Sequence, residues 1–251
     1  IGGLYLFFLE GFGYLSDSDY FGEALFLYAY EMFFPALAFL LVFSGVIFGI
    51  FSLFKGGDNY WIMASPKYET LFVHKILTVL ASSLWPVAVI ALPFALAVAV
   101  FFELSPLSSL LLLAGIFFFC LSVVLASVII VFLSAGFLFL ASAVSKTNLL
   151  KSGKLTLVAL IFFVVLGMFF WLPMVENRPG NIFNAEDLSA SAAGTEKIEN
   201  QFGFLPTHLI AKAVFQTQNK NFPLAEWSLI LAILAGTGLA VIFLKSKFLF
   251  L

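Results

Sequence analysis

Several runs of this chain are long, apolar and almost free of charge, and no other feature constrains its fold as strongly. The longest run extends from 107 to 144 and contains no charged residue. As a single helix it would measure about 57 Å, whereas the hydrocarbon core of a bilayer is only about 30 Å thick. Runs of this kind cannot be hidden inside one soluble core. The sequence therefore predicts an integral membrane protein.

The composition agrees, because 63% of the residues are hydrophobic, only 10% are charged and 34 are Phe. Membrane lipid is the expected surrounding of so much apolar surface. The formal net charge of -2 gives no basic stripe, so no nucleic-acid partner is expected. Cys120 is the one cysteine, which excludes an internal disulfide and a CxxC metal cluster. No metal site is expected.

The apolar runs predict an all-α membrane domain covering 1–251, with six transmembrane helices. The predicted spans are about 1–15, 24–54, 76–102, 107–144, 155–172 and 227–244. The first is too short to cross a bilayer and lacks the features of a secretory signal, so it is predicted to be the end of a span that begins before Ile1. The run 107–144 could form one helix or a hairpin of two. One helix is favoured, because the middle of the run offers only isolated Ser and Gly.

The distribution of Lys and Arg orients these spans. Placing the loop after the second span in the cytoplasm puts most of the cationic residues inside: Lys55, Lys67, Lys75, Lys146, Lys151, Lys154, Lys245 and Lys247. Arg178, Lys197, Lys212 and Lys220 then lie outside. The segment 175–225 becomes an external loop, and the protein is expected to be a multi-pass protein of the bacterial cytoplasmic (inner) membrane.

A short amphipathic helix is predicted within this loop, over 206–216. Leu209, Ile210, Ala213 and Val214 fall on one face, and the opposite face carries polar residues: Thr207, His208, Lys212 and Gln216. Such a helix is expected to lie along the outer membrane surface.

Motifs for catalysis are weak. Gly153-Lys154 looks like the end of a nucleotide-binding P-loop, but Asn148 replaces its first Gly and Leu155 its Ser or Thr. We therefore expect no ATPase site in this chain and no catalytic residue. His74 and His208 are predicted on opposite sides of the membrane, so they are not expected to form a metal pair or part of a triad.

Glu31 is the acidic residue that lies deepest within a predicted span. A carboxylate there is costly and usually faces a bundle interior or a wet cavity, so Glu31 and the neighbouring Tyr28 are candidates for a substrate path. The alternative is that Glu31 is protonated, or reaches the outer surface beside Tyr28 and Tyr30. Gly45 and Gly49 form a GxxxG pair, which predicts close packing against another helix.

The segment 57–75 connects the second and third spans and has an ordered pattern. An acidic residue is followed by an amphipathic stretch, a Ser-Pro pair, and a Lys at the start of the next span. The residues that carry the pattern are Asp58, Tyr60, Trp61, Ile62, Met63, Ser65, Pro66, Lys67, Tyr68 and Lys75. In this pattern the chain resembles the ABC-2 type transporter permeases, although His74 stands where that family commonly has a small residue.

The resemblance implies a permease subunit of an ATP-driven exporter, with residues 58–68 forming a coupling helix that docks on a separate ATP-binding subunit. ATP and Mg would then belong to that partner. A second six-helix half, either a second copy or the other half of a longer chain, would complete the path. The aromatic, nearly uncharged spans suit an amphipathic or lipid-like substrate. The competing hypothesis is a polytopic scaffold or intramembrane enzyme without transport activity.

Overall fold

The computed structural model describes residues 2–16, 22–54, 68–145, 206–221 and 223–248. Its regular structure in these ranges is entirely helical, and no strand occurs there. The helices are α1 (Gly2–Ser16), α2 (Gly22–Phe54), α3 (Tyr68–Phe101), α4 (Pro106–Ser145), α5 (Pro206–Gln218) and α6 (Leu224–Phe248). The prediction of an all-α fold is confirmed for this part of the chain.

Four of these helices contain segments long and apolar enough to cross a membrane: Phe26–Ser52, Phe72–Phe101, Pro106–Gly136 and Leu224–Leu244. Helix α1 has 15 residues, fewer than the roughly 20 that a span needs. The predicted span 155–172 falls in a part of the chain that the structure does not describe. The number six therefore stays a prediction.

Helix α4 is continuous over 40 residues, so the long apolar run forms one helix and not a hairpin. Its buried serines do not interrupt it, because their hydroxyls donate to carbonyls of the preceding turn. Ser122 bonds to the carbonyl of Phe119 at 2.8 Å, and Ser134 bonds to that of Ile130 at 2.8 Å. Each polar group is thus satisfied within the helix, as a lipid-embedded segment requires.

The turn between α3 and α4 is built from short-range hydrogen bonds. Glu103 has a φ of 48°, its N–H donates to the carbonyl of Val100 at 3.3 Å, and the N–H of Leu104 donates to that of Ala99 at 3.0 Å. This is the Schellman arrangement that ends many helices. Ser105 then caps α4 by accepting a hydrogen bond from the N–H of Ser108 at 3.1 Å.

Helix α3 begins at Tyr68, earlier than the predicted start at 76. The reason is local: Ser65-Pro66 is the last helix-breaking pair before α3, and no Gly or Pro follows it until Pro86. Tyr68, which the resemblance placed at the end of the coupling segment, is the first residue of α3. Lys75 lies two turns inside that helix and is buried.

Helix α2 is the centre of the bundle and packs against α1, α3, α4 and α5. Its two GxxxG glycines face α4 at matching intervals. A Cβ built on Gly45 would overlap the side chain of Ser127, and one built on Gly49 would lie 3.2 Å from Cγ2 of Val131. The close helix approach predicted from this motif is therefore present.

Aromatic rings fill the space where α1, α2 and α3 meet. The ring of Phe33 stacks on that of Phe94, with centroids 4.1 Å apart and planes 16° from parallel. Phe12 contacts several rings edge-on or tilted, with centroids about 6 Å away: Phe26, Tyr30, Phe94, Phe101 and Phe102. This aromatic cluster fixes the short α1 against the two longer helices.

Candidate functional site

Polar side chains, which are scarce in the described helices, meet where α5 packs against α2. Nδ1 of His208 lies 3.1 Å from Oε1 of Glu31. The hydroxyl of Tyr30 donates to Oε1 of Gln218 at 2.8 Å. We call these four residues the polar crossing.

A third contact joins α5 to α6 beside the polar crossing. Nε2 of Gln216 donates to Oε1 of Glu226 at 3.1 Å. Glu226 is in the first turn of α6, where the helix dipole favours a negative charge. Helix α5 is therefore held by polar contacts to α2 and to α6.

The two contacts of the polar crossing attach both ends of α5 to one short stretch of α2. Tyr30 and Glu31 are adjacent in α2, whereas their partners His208 and Gln218 are about 15 Å apart along α5. Long side chains that extend from two neighbouring residues of α2 therefore contact both ends of α5.

The two contacts differ in their exposure. Tyr30 is fully buried and Gln218 is 7% exposed, so their bond lies within the bundle. The side chains of His208 and Glu31 keep 13% and 18% exposure. The bond between Tyr30 and Gln218 is neutral, while that between Glu31 and His208 is ionic when His208 carries a proton. The contact between Tyr30 and Gln218 is therefore buried and uncharged, whereas the contact between His208 and Glu31 is partly exposed and can carry charge.

The amphipathic pattern of α5 is present. Leu209, Ile210, Ala213 and Val214 are buried, as is Ala211. Helix α5 packs against α2, α4 and α6, so the bundle itself covers part of its apolar face. Its position along the outer membrane surface stays a prediction.

The remaining predicted site residues have different outcomes. Tyr28 is partly buried on α2, two positions from the buried Tyr30. The segment 58–67 is not among the residues that the structure describes, and neither is Gly153-Lys154. The proposed coupling role of 58–68 therefore remains a prediction.

His208 is the residue that the sequence analysis missed. As a candidate for chemistry it was considered only together with His74, and it was set aside. The sequence placed His208 on the polar face of α5, on the outer side of the membrane. It placed Glu31 within a span, close to that same side. Because a carboxylate within a span needs a partner, these two positions together could have indicated the contact.

These elements define the class of the protein: an α-helical bundle whose long apolar helices suit a membrane. Its sequence matches, over residues 2–250, the model of a family described as "Putative ATP-binding cassette", and the chain belongs to that family. No curated protein and no solved structure matches it.

This family assignment corrects several predictions. The identification with ABC-2 type permeases was wrong, as was the predicted function of a permease subunit of an exporter. The scaffold or intramembrane-enzyme alternative fits no better. The segment 57–75 carried the resemblance, whereas the family match extends over nearly the whole chain. A short motif was therefore given too much weight.

The predictions about nucleotide were also wrong. An ATP-binding cassette family carries an ATPase site, contrary to the expectation that this chain lacks one and that ATP and Mg belong only to a partner. That expectation depended on one incomplete P-loop pattern around 148–155. The lack of a single phosphate-binding motif excludes only that motif.

The described helices nevertheless do not fit a nucleotide themselves. Phosphate groups are usually held by backbone N–H groups of a glycine-rich turn and by Lys or Arg. Within the described ranges no glycine has a positive φ, and the polar crossing contributes the carboxylate of Glu31. Nor do three or more His, Cys, Asp or Glu residues come together in those ranges to hold a metal. We derive no chemical step through nucleotide or metal from these residues.

Proposed function

We propose that this chain is a membrane-spanning component of an ATP-binding cassette transport system. The observation that carries the proposal is the combination of a family match over residues 2–250 with four helices able to cross a bilayer. A water-soluble nucleotide-binding domain would not need apolar helices of 27, 30 and 31 residues. The family and the helices together favour a role inside the membrane.

The proposed topology has six spans, with 155–172 as the fifth, in the cytoplasmic membrane of a bacterium. The segment 55–67 lies in the cytoplasm and 175–225 lies outside. Support comes from the distribution of Lys residues, because Lys55 and Lys67 flank the first of these segments. A second half, either another copy or the other half of a longer protein, completes the assembly in this proposal.

We also propose that residues 58–68 contact the part of the assembly that binds nucleotide. Helix α2 ends at Phe54 and α3 begins at Tyr68, and these two helices pack against each other. The intervening segment thus joins the same end of two neighbouring long helices. A force applied to it would act on both helices together, which is what transmission from a nucleotide cycle requires.

Glu31 and Tyr28 are proposed to border the route of the transported molecule. Glu31 keeps 18% exposure although it lies within the segment Phe26–Ser52, and Tyr28 is also partly exposed. Partial exposure of a carboxylate at this depth is consistent with a wet cavity. Replacing Glu31 with Gln should alter transport without releasing the chain from the membrane.

The topology is tested by cysteine labelling on a Cys120→Ala background, using a reagent that does not cross membranes. Tyr60→Cys should react only from the cytoplasmic side and Ser189→Cys only from outside. The chain should also resist extraction from membranes by alkaline carbonate. Extraction by carbonate, or labelling of Tyr60→Cys from the exterior, would contradict the proposal.

The coupling role requires a separate measurement. Membranes containing the complete system should show ATP hydrolysis that falls when Trp61 is replaced by Ala. The matched control is Trp85→Ala, a change to a largely exposed tryptophan on α3. If both changes lower hydrolysis equally, residues 58–68 have no special role.

A further inference from the structure

Glu10 is an exposed carboxylate on the short helix α1. This helix packs against α2 and α3, with Phe12 buried on the side that contacts them. Two residues turn an α-helix by about 200°, so Glu10 lies on the opposite side from Phe12. Other exposed residues surround it there, and together we call them the Glu10 face: Leu6, Phe7, Glu10, Gly11 and Tyr14.

The level of Glu10 along the bundle follows from the ring that precedes it. Phe8 contacts Phe33 and Phe94, with centroids 5.7 and 5.4 Å apart. Phe33 is seven residues from the start of the spanning segment of α2, and Phe94 is seven residues from the end of that of α3. In a helix this distance is about 10 Å. Glu10, two residues from Phe8, is therefore level with the spanning segments and not with the turns that join them.

Glu10 has no hydrogen-bond or ion-pair partner among the described residues. In contrast, Glu31 contacts His208, and Glu226 accepts a hydrogen bond from Gln216. A carboxylate that faces lipid without a partner is costly, and acidic residues within spans usually pair or face protein. The Glu10 face therefore requires a polar partner, which lipid chains do not provide.

The spanning segments of the same chain do not supply a cation for Glu10. Lys75 is the one Lys or Arg in the four described segments, and it is buried. The apolar run 155–172 contains no charged residue. A carboxyl group, however, complements itself, because its protonated form donates a hydrogen bond and its ionised form accepts one. A second Glu10 at the same level is therefore a suitable partner.

We propose that the Glu10 face is the contact surface between two copies of this chain. A two-fold axis along the membrane normal brings the same residue of each copy together at one depth. The two Glu10 carboxyl groups then share one proton, as paired carboxyl groups do. Gly11 lies beside them and lets the two α1 helices approach closely. The inference rests on the membrane role proposed above, and it makes the second half of the assembly another copy.

Oxidative cross-linking in native membranes tests this surface, on a Cys120→Ala background with two differently tagged copies expressed together. Gly11→Cys and Gly236→Cys are matched, because each replaces an exposed helical glycine at which a Cβ would meet nothing within 4 Å. A disulfide-linked dimer that carries both tags should form about tenfold faster with Gly11→Cys than with Gly236→Cys, because cysteines in one interface have a high effective concentration. Equal rates would overturn the proposal, since the copies would then meet only by collision.

Variants of Glu10 test the carboxyl pair through the same Gly11→Cys reporter. Glu10→Gln keeps a group that donates and accepts, so the rate of cross-linking should stay within about twofold. Glu10→Ala removes the shared hydrogen bond and should lower the rate about fivefold. Glu10→Lys should lower it as well, but cross-linking of a Glu10→Lys copy to a copy with Glu10 should recover, because Lys then faces Glu. If Glu10→Ala cross-links as fast as its parent, the carboxyl pair does not hold the copies together and the proposal fails.

Resistance to extraction by alkaline carbonate separates failure of this surface from failure of the membrane role. A resistant Gly11→Cys chain that forms no dimer overturns the contact between copies and leaves the membrane role intact. A cross-linked product with one tag and a different protein would also overturn it, as would a monomer that reacts freely with a lipid-soluble maleimide, because lipid would then cover the face. Tyr14→Cys, at a residue that is 79% exposed, is the second reporter if Gly11→Cys does not fold.

Discussion

Gly115 of α4 lies directly under the indole ring of Trp227, at the start of α6. A Cβ at Gly115 would overlap carbons of that ring, so the pair allows α4 and α6 to approach closely. The bulky indole ring of Trp227 packs against the flat backbone surface at Gly115. This contact is one of the places where the exposed helix α6 is fixed to the bundle.

Replacing Gly115 with Ala should therefore destabilise the protein. The overlap involves ring atoms of a rigid side chain, so α4 and α6 must separate, at a cost of about 1–3 kcal/mol as in other overpacked sites. The expected result is a lower melting temperature in detergent. Gly136→Ala is the matched control, because a Cβ there would meet nothing within 4 Å.

The same contact predicts a rescue. Trp227→Ala removes the ring and should itself destabilise the protein, but Gly115→Ala added to it should cost little more. A double-mutant cycle therefore measures the coupling of the two residues. Strictly additive effects would show that Trp227 is not what excludes a side chain at Gly115.

The glycines of the GxxxG pair on α2 should differ in sensitivity. A Cβ at Gly45 would lie 2.9 Å from Cβ of Ser127, besides overlapping its hydroxyl, whereas one at Gly49 would lie 3.2 Å from Cγ2 of Val131. Gly45→Ala should therefore lower the free energy of unfolding by more than Gly49→Ala, by about 1 kcal/mol or more. Ser127→Gly should restore part of the loss caused by Gly45→Ala and none of that caused by Gly49→Ala. Equal effects of the two glycine changes would contradict this assignment.

The sequence was sufficient for the helices whose signal is local. Long apolar runs predict membrane helices because each residue in lipid must be apolar, so α2, α3, α4 and α6 are visible in the sequence. The GxxxG pair is also recognisable from the sequence alone, because close approach of two helices requires small residues at that spacing. Its partner on α4 could not be predicted, since nothing in the sequence pairs Gly45 with Ser127.

The polar crossing illustrates what the sequence did not reveal. Tyr30 and Gln218 are 188 positions apart and carry no common motif, so their bond arises only from how the helices pack. The amphipathic pattern of α5 predicted a helix but not its surroundings, because lipid and protein both satisfy an apolar face. Local patterns fix elements, whereas tertiary packing decides which of their faces meet.

Tyr30→Phe tests the buried bond of the polar crossing. The change keeps the ring, which packs against Phe94 with centroids 5.8 Å apart, and removes only the hydroxyl. Gln218 then loses a buried partner, so the free energy of unfolding should fall by about 1–3 kcal/mol. Thermal unfolding in detergent measures it, and Tyr14→Phe, at a largely exposed residue, should have no effect.

Ser83 should respond in the opposite sense. Within the described ranges its hydroxyl is the buried side-chain group that lacks a hydrogen-bond partner. Ser83→Ala removes this unsatisfied group and should leave stability unchanged or raise it by about 1 kcal/mol. Ser122→Ala is the comparison, because the hydroxyl of Ser122 donates to the carbonyl of Phe119 and its loss should not stabilise. A clear loss of stability in Ser83→Ala alone would show that this hydroxyl has a partner.

The turns that end α3 and α5 offer a final prediction, because each has a non-glycine residue in the left-handed backbone region. Glu103 has a φ of 48° and Lys220 a φ of 59°. A side chain in this region costs roughly 1–2 kcal/mol, which glycine avoids, although glycine also increases the entropy of the unfolded chain. Glu103→Gly and Lys220→Gly should each therefore raise the free energy of unfolding by up to about 1 kcal/mol. In thermal unfolding this corresponds to about 2–4 °C. Ser105→Gly, two residues after Glu103, is the control. It should give no such gain, because it removes the cap of α4. If Ser105→Gly raised the free energy of unfolding as much as Glu103→Gly, backbone strain would not be the cause.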